Sequence, residues 1–257
     1  IDIFYPLIEI RAEPAFTPND PEFGNQWHLD NTAQHGGTAV AGEDVNITGV
    51  WNEYDGTGVV ISIVDDGTQA NHPDLSTNWN SAVSNDRCGS AGTDPSPQAS
   101  DENHGTSVAG VAAATGNNNL DTTGAAFGAT LSAQRILACS TPDSLLAAIL
   151  SDNNDIIDIY QNSWGFTSPY YNSMGALTTA AFESNAQIGR GGLGNIIVFA
   201  AGNGLREGAN SNNNDLTNSR YTIAVAAITD SGEQTWYSEP GTNILVTSHT
   251  GGGQAGI

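Results

Sequence analysis

Short runs of β-branched and aliphatic residues recur along the chain, separated by alanine-rich segments and by polar, glycine-rich turns. Val59 to Val64, Leu131 to Leu137, Ile156 to Tyr160, Ile196 to Ala201, Tyr221 to Ile228 and Ile244 to Thr247 read as buried strands. Between them, His104 to Ala114, Pro142 to Leu150 and Met174 to Ile188 read as helices. Strand and helix alternating in this way predict an α/β domain with a mostly parallel sheet covered on both faces. Right-handed crossovers would then gather the carboxyl ends of the strands along one edge, where ligands bind in such folds. Asp65 and Asn203 both fall just past predicted strands, and His104 opens a predicted helix for which Asp101 is a candidate cap.

The remaining segments carry less periodicity. Residues 1–24 hold Pro6, Pro14, Pro18 and Pro21 and are expected to lie as an extended segment on a domain formed by residues 25–257. Asn210 to Asn218 is a polar surface loop, and no internal repeat is evident. No stretch approaches eighteen consecutive apolar residues, and Ile1 to Pro6 lacks the basic flank and apolar run of a signal peptide. Any export signal or pro-segment is therefore expected to have been removed already.

Charge narrows the range of partners. Twenty-eight acidic residues stand against six basic ones, all arginine, for a formal net charge of −22 in 257 residues. Such a field repels nucleic acid and anionic membranes; it attracts cations and basic peptides, or serves solubility alone. Cys88 and Cys139 are too few for a disulfide scaffold and lack metal-site spacing. One disulfide between them suits an exported protein, and two buried thiols are the alternative.

Three segments point to nucleophilic catalysis. A hydroxyl nucleophile needs a base within hydrogen-bond reach, and the base needs a carboxylate to set its tautomer and stabilise the imidazolium. Asp65 in Ile63-Val64-Asp65-Asp66-Gly67 and His104 in His104-Gly105-Thr106-Ser107-Val108-Ala109-Gly110 suit those roles. Asn203, in Phe199-Ala200-Ala201-Gly202-Asn203-Gly204, would donate its amide to a developing oxyanion, an effect worth about 10²–10³ in rate. Taken singly, each has a plainer explanation: a turn aspartate, a surface histidine at a helix start, an Asn-Gly turn.

Other motifs follow in the same order: Asn71-His72-Pro73-Asp74-Leu75, Asn162-Ser163-Trp164-Gly165, Arg190-Gly191-Gly192-Leu193-Gly194 and Trp236-Tyr237-Ser238-Glu239. Together they make residues 26–250 resemble a subtilisin-like serine protease of the kexin and furin branch of proprotein convertases. That resemblance implies a subtilisin-like three-layer sandwich around a mostly parallel sheet, with Asp65 as orienting acid, His104 as general base and Asn203 as oxyanion donor. It also implies a nucleophilic serine in a Gly-Thr-Ser motif several tens of residues after Asn203, and no such motif occurs there. Ser248 falls in an earlier loop, and Gly105-Thr106-Ser107 belongs to the histidine motif. The domain is accordingly expected to be incomplete at its C-terminus, before the nucleophile-bearing helix; loss of the nucleophile is the alternative.

The same resemblance supplies the remaining expectations. Asp66 and Asp101 should border the cleft and receive a basic side chain one residue before the cleaved one; turn formation by Asp66 and capping by Asp101 are the structural alternatives. Ser163, Trp164 and Gly165 should line the substrate cleft. Asp215 stands one step from the register where an arginine- or lysine-specific member carries an aspartate, which here is Asn214. Calcium is the implied cofactor, held by Asp44, Asp74 and Asn118 as a hard cation's oxygen donors. A second calcium site near Glu239 lacks two acidic partners, which read Ser168 and Ala209. The implied protein is a secreted or periplasmic calcium-dependent endopeptidase, cleaving after basic residues and at dibasic sites, with the rest of the same enzyme as its partner. Absence of lysine and of any adjacent pair of bases would shield it from itself. Its rivals are a protease with an apolar primary pocket and a silent module that binds basic peptides.

Overall fold

The computed structural model describes residues 16–89, 92–166 and 168–251. Among the described residues, seven strands form one sheet: β1 (Val60–Asp65), β2 (Asn85–Asp86), β3 (Thr130–Arg135), β4 (Ile159–Asn162), β5 (Ile196–Ala200), β6 (Ile223–Ile228) and β7 (Ile244–His249). Their order across the sheet is β2-β3-β1-β4-β5-β6-β7, and every pairing is parallel. The α-helices among the described residues are α1 (His104–Ala113), α2 (Asp143–Ser151) and α3 (Ala176–Gly192).

Both faces of the sheet are covered at β3, β1, β4 and β5, whereas β7, read as buried from its apolar run, leaves Leu245 80% and Val246 48% exposed. On one face Ile61, Ile63, Leu131 and Ala133 pack with Ala109 and Ala113 of α1. On the other, Val64, Tyr160, Ile197 and Phe199 pack with Leu146, Ile149 and Leu150 of α2 and Ala181 and Phe182 of α3. Gly105, Ala109 and Ala113 recur every four residues and are buried, so α1 presents a small-residue stripe that lets it lie close on the strands. Phe182 and Phe199 are fully buried, each contributing about 1.5–3 kcal/mol relative to exposure. Three layers result, the predicted α/β architecture.

Element bounds differ from the sequence pattern where packing overrides it. Strand β2 is invisible to that pattern, because two polar residues carry no hydrophobic signal; it exists by pairing Asn85 with Gln134 and Asp86 with Arg135. The run beginning at Ile156 enters the sheet only at Ile159, since the Ile156 and Ile157 N–H groups are taken by the Asn153 carbonyl in a turn. Helix α3 is interrupted at Gly189–Gly191, where Arg190 takes a φ of 52°. The extended segment expected over residues 1–24 falls largely on residues 1–15, outside the described residues. Phe16 and Phe23 pack with Leu29, Trp51 and Phe127 in a separate cluster that ties this end to the domain.

Cys88 and Cys139 form a disulfide with a Cα–Cα separation of 5.3 Å, tying the segment after β2 to the segment after β3. No helix among the described residues is long and apolar enough to cross a membrane.

Candidate active site

The carboxyl ends of β1, β4 and β5, neighbours in the sheet, deliver Asp65, Ser163-Trp164-Gly165 and Asn203 to one edge. The Trp164 indole donates to the Val64 carbonyl at 2.9 Å and packs edge-on against Phe199, which fixes the turn after β4 to its neighbours. Across the edge lies the start of α1. A side chain at position 105 would collide with the Gly67 carbonyl and the Asp65 Cβ, so glycine beside the histidine allows the helix to abut the strand end.

This contact brings acid and imidazole together. His104 Nδ1 lies 2.9 and 3.0 Å from the two Asp65 oxygens. Asp65 is 1% exposed, and its Oδ1 also accepts the Asp66 N–H at 2.8 Å. A carboxylate only accepts, so the imidazole proton sits on Nδ1 and leaves Nε2 as the free base. The bond to Asp65, aided by the charges of Asp65 and Asp66, raises the His104 pKa above its ordinary 6.5 against the opposing effect of burial. The ring is about half exposed to solvent.

Asp66, expected to meet substrate, spends its oxygens on the helix: they accept the His104 N–H at 3.1 Å and the Gly105 N–H at 2.8 Å. It therefore caps α1, the role assigned to Asp101, which is instead exposed. A further network, unmarked in the sequence, positions the histidine. Buried Arg135 bonds Glu102 at 2.6 and 3.0 Å and Asp86 at 3.1 Å, and pulls the Glu102 carboxyl below its usual range. The loop entering α1 is thus clamped two residues before His104. Nothing in linear spacing signals these contacts, which join β2, β3 and the loop only in space.

Ser163, Trp164, Gly165 and Asn203 line one cavity of about 350 Å³, together with Phe166, Pro169, Ala209, Asn214, Glu207 and Glu239. Asn203 is exposed there. A side chain at Gly202, whose φ is 116°, would strike the Glu239 carboxylate lying beneath the loop. Asp215 is not among the lining residues; the Tyr171 hydroxyl lies 3.0 Å from both of its oxygens.

A strand end, a helix start and a cleft arranged in this way match a known pattern over most of their length. The model of peptidase S8, described as the subtilase family, matches residues 56–251. The chain belongs to the subtilase family. Among curated relatives, human furin is 37% identical over 243 residues, covering 92% of this chain and 30% of furin. Human proprotein convertase subtilisin/kexin type 6 is 38% identical over 251 residues, covering 95% of this chain and 26% of that protein. This subtilase chain thus spans under a third of the length of these relatives. Among solved structures, a serine protease of Aeromonas sobria, crystallised in complex with a chaperone, superposes with a TM-score of 0.80 at 26% identity, covering 94% of this chain and 44% of that one. A protease of Pseudoalteromonas arctica follows with a TM-score of 0.73 and 26% identity, covering 91% of this chain and 73% of that one.

The three residues expected to hold calcium are not brought together as a set. Asp74, 1% exposed, accepts the Asn118 amide at 2.9 Å and the Thr122 N–H and hydroxyl. Asp44 sits in a different loop, where its oxygens accept the backbone N–H groups of Asn31 and Asn46. Asp20 takes the place beside the other two, accepting from Asn117 N, Asn118 N and the Thr123 hydroxyl. Asp20 escapes sequence reasoning because it lies in the proline-bearing segment, whose docking no local pattern reveals. Two buried acids and an asparagine converge on loop 117–123, and no basic side chain pairs with either acid among the described residues. Buried carboxylates are ordinarily paired or bound to a cation, so the donor set suits a hard divalent ion. It includes too few acids to form a group of three His, Cys, Asp or Glu side chains among the described residues.

Proposed function

We propose that this domain belongs to a calcium-dependent serine endopeptidase of the kexin-like branch that cleaves after basic residues. The observation that carries the reading is the bond from His104 Nδ1 to buried Asp65, with Nε2 left open, at the same sheet edge as a cleft lined by Asn203. In this reading Asp65 holds the imidazole tautomer and steadies the imidazolium; His104 takes a proton from a serine hydroxyl and returns it to the leaving amine; Asn203 donates to the oxyanion of each tetrahedral intermediate. Peptide backbone would lie along Ser163-Trp164-Gly165. The serine lies outside these 257 residues, in the longer protein that the relatives' lengths suggest. Calcium would be held by Asp20, Asp74 and Asn118, supplying the charge that the two buried acids require and tying the N-terminal segment to loop 117–123. The net charge of −22 favours approach of basic peptides, and the disulfide suits an oxidising compartment on the secretory route.

A serine-directed fluorophosphonate, applied to the full-length protein, tests this. Labelling of a single serine, abolished in His104→Ala, is expected. A folded full-length protein that takes up no label refutes the peptidase reading in favour of a silent module that captures basic peptides.

A further inference from the structure

On the reading of this cleft as a peptidase's, we infer that Glu239, entered past Glu207, is the anion that receives the basic side chain of the cleaved residue. Asp215, the acid that sequence register brought nearest to this role, is held elsewhere by the Tyr171 hydroxyl and the Met174 N–H. The polar residue facing the cleft in its stead is Asn214, which is uncharged.

Glu239 is placed differently. It is 9% exposed, and its backbone N–H donates to the Gly202 carbonyl at 3.0 Å, which seats it under the loop that carries Asn203. Its Oε1 accepts the Gly204 N–H at 3.1 Å, and its Oε2 accepts nothing from the described residues. No basic side chain ion-pairs with Glu239 or Glu207 among the described residues, and Arg206, adjacent to Glu207 in sequence, stacks over the Trp236 ring at 4.3 Å. Burial, with the charge of Glu207 beside it, pushes the Glu239 carboxyl above its ordinary range. An acid that lacks a counter-charge inside a cleft of about 350 Å³ gains one when a guanidinium or ammonium enters. Exposed Glu207 at the rim then draws the cation inward.

Binding of benzamidine and of its neutral isostere benzamide to the full-length protein, read by calorimetry, tests this without requiring turnover. Wild type should prefer benzamidine by at least about tenfold, the scale of one charge-assisted bond. Glu239→Gln keeps an acceptor for the Gly204 N–H but removes the charge, and should erase that preference; Asp215→Asn should not. Benzamidine affinity in wild type should also fall as pH drops through the raised Glu239 range, which decides the matter should the variant fail to fold. Unchanged binding in a folded Glu239→Gln, loss of binding in Asp215→Asn, a pH-independent wild type, or displacement of benzamidine by calcium at constant ionic strength would overturn the assignment. A protein that shows the expected benzamidine pattern yet takes up no fluorophosphonate loses the peptidase reading alone; one that labels but binds benzamidine independently of Glu239 loses this assignment alone.

Discussion

Replacing Asp65 by asparagine changes one atom and should disable the base without disturbing the fold. The new amide oxygen would keep the 2.8 Å bond that Asp65 Oδ1 accepts from the Asp66 N–H, so the amide nitrogen must occupy the site of Oδ2, 3.0 Å from His104 Nδ1. The retained oxygen is still 2.9 Å from Nδ1 but is already engaged by the Asp66 N–H, whereas the amide N–H faces Nδ1 at 3.0 Å, so the tautomer with the proton on Nε2 and Nδ1 as acceptor is favoured. The nitrogen that should receive the serine proton is then already protonated. At 1% exposure no water can enter to relieve the arrangement. Where a buried orienting acid of this kind has been neutralised in another protease, turnover falls about 10⁴-fold, and about 5 kcal/mol of transition-state stabilisation is the equivalent loss. The assay is kcat/KM on a basic peptide, with fluorophosphonate labelling rate as a second readout, in full-length wild type, Asp65→Asn and His104→Ala. Asp65→Asn should approach His104→Ala while retaining wild-type circular dichroism and KM. A folded Asp65→Asn enzyme within about tenfold of wild type would refute the assigned tautomer and the role of Asp65 with it.

The raised His104 pKa sets the pH dependence: the base is neutral only above a value higher than 6.5, so the acid limb of kcat/KM should fall above 6.5, and a limb at or below 6.5 contradicts the geometry. The Asp65–His104 pair correspondingly stabilises the fold fully below pH 6.5 and loses that contribution as pH rises through the folded value, an effect damped by the half-exposed ring. Removing the disulfide in a Cys88→Ser, Cys139→Ser double variant releases a loop closed over 51 residues; chain entropy puts the cost at about 4 kcal/mol, and a loss under about 1 kcal/mol in urea unfolding would show that the crosslink hardly restrains the unfolded chain. Calcium at about a hundredfold over its dissociation constant should stabilise the protein by about 2.7 kcal/mol. Asp20→Asn and Asp74→Asn should abolish that increment in thermal melts and Asp44→Asn should keep it; the reverse pattern would restore Asp44 as the ligand.

Much of the fold was legible because parallel strands buried on both faces tend to be apolar, and the runs at Val60 and Ile196 satisfy that condition locally, whereas β3 buries Ser132, Gln134 and Arg135 and the apolar run at Ile244 is largely exposed. The Asp-Asp-Gly, His-Gly-Thr-Ser and Gly-Asn-Gly segments were readable only jointly, since each alone is an ordinary turn or helix start and it is their occurrence together, in order, that points to one site. Tertiary structure alone decided how these groups are partnered. Asp66 and Asp101 look alike in sequence as acids beside the site, and only the approach of α1 to β1 makes Asp66 the cap. Asp20 and Asp44 look alike as loop acids, and only the docking of the N-terminal segment places Asp20 against loop 117–123. Glu239 lies 36 residues beyond Asn203 in the chain, yet beneath its loop in space. Side-chain periodicity is a short-range property of the backbone, whereas hydrogen bonding and charge pairing across a sheet edge depend on which distant loops the packing of α1, β1, β4 and β5 brings within a few ångströms of one another.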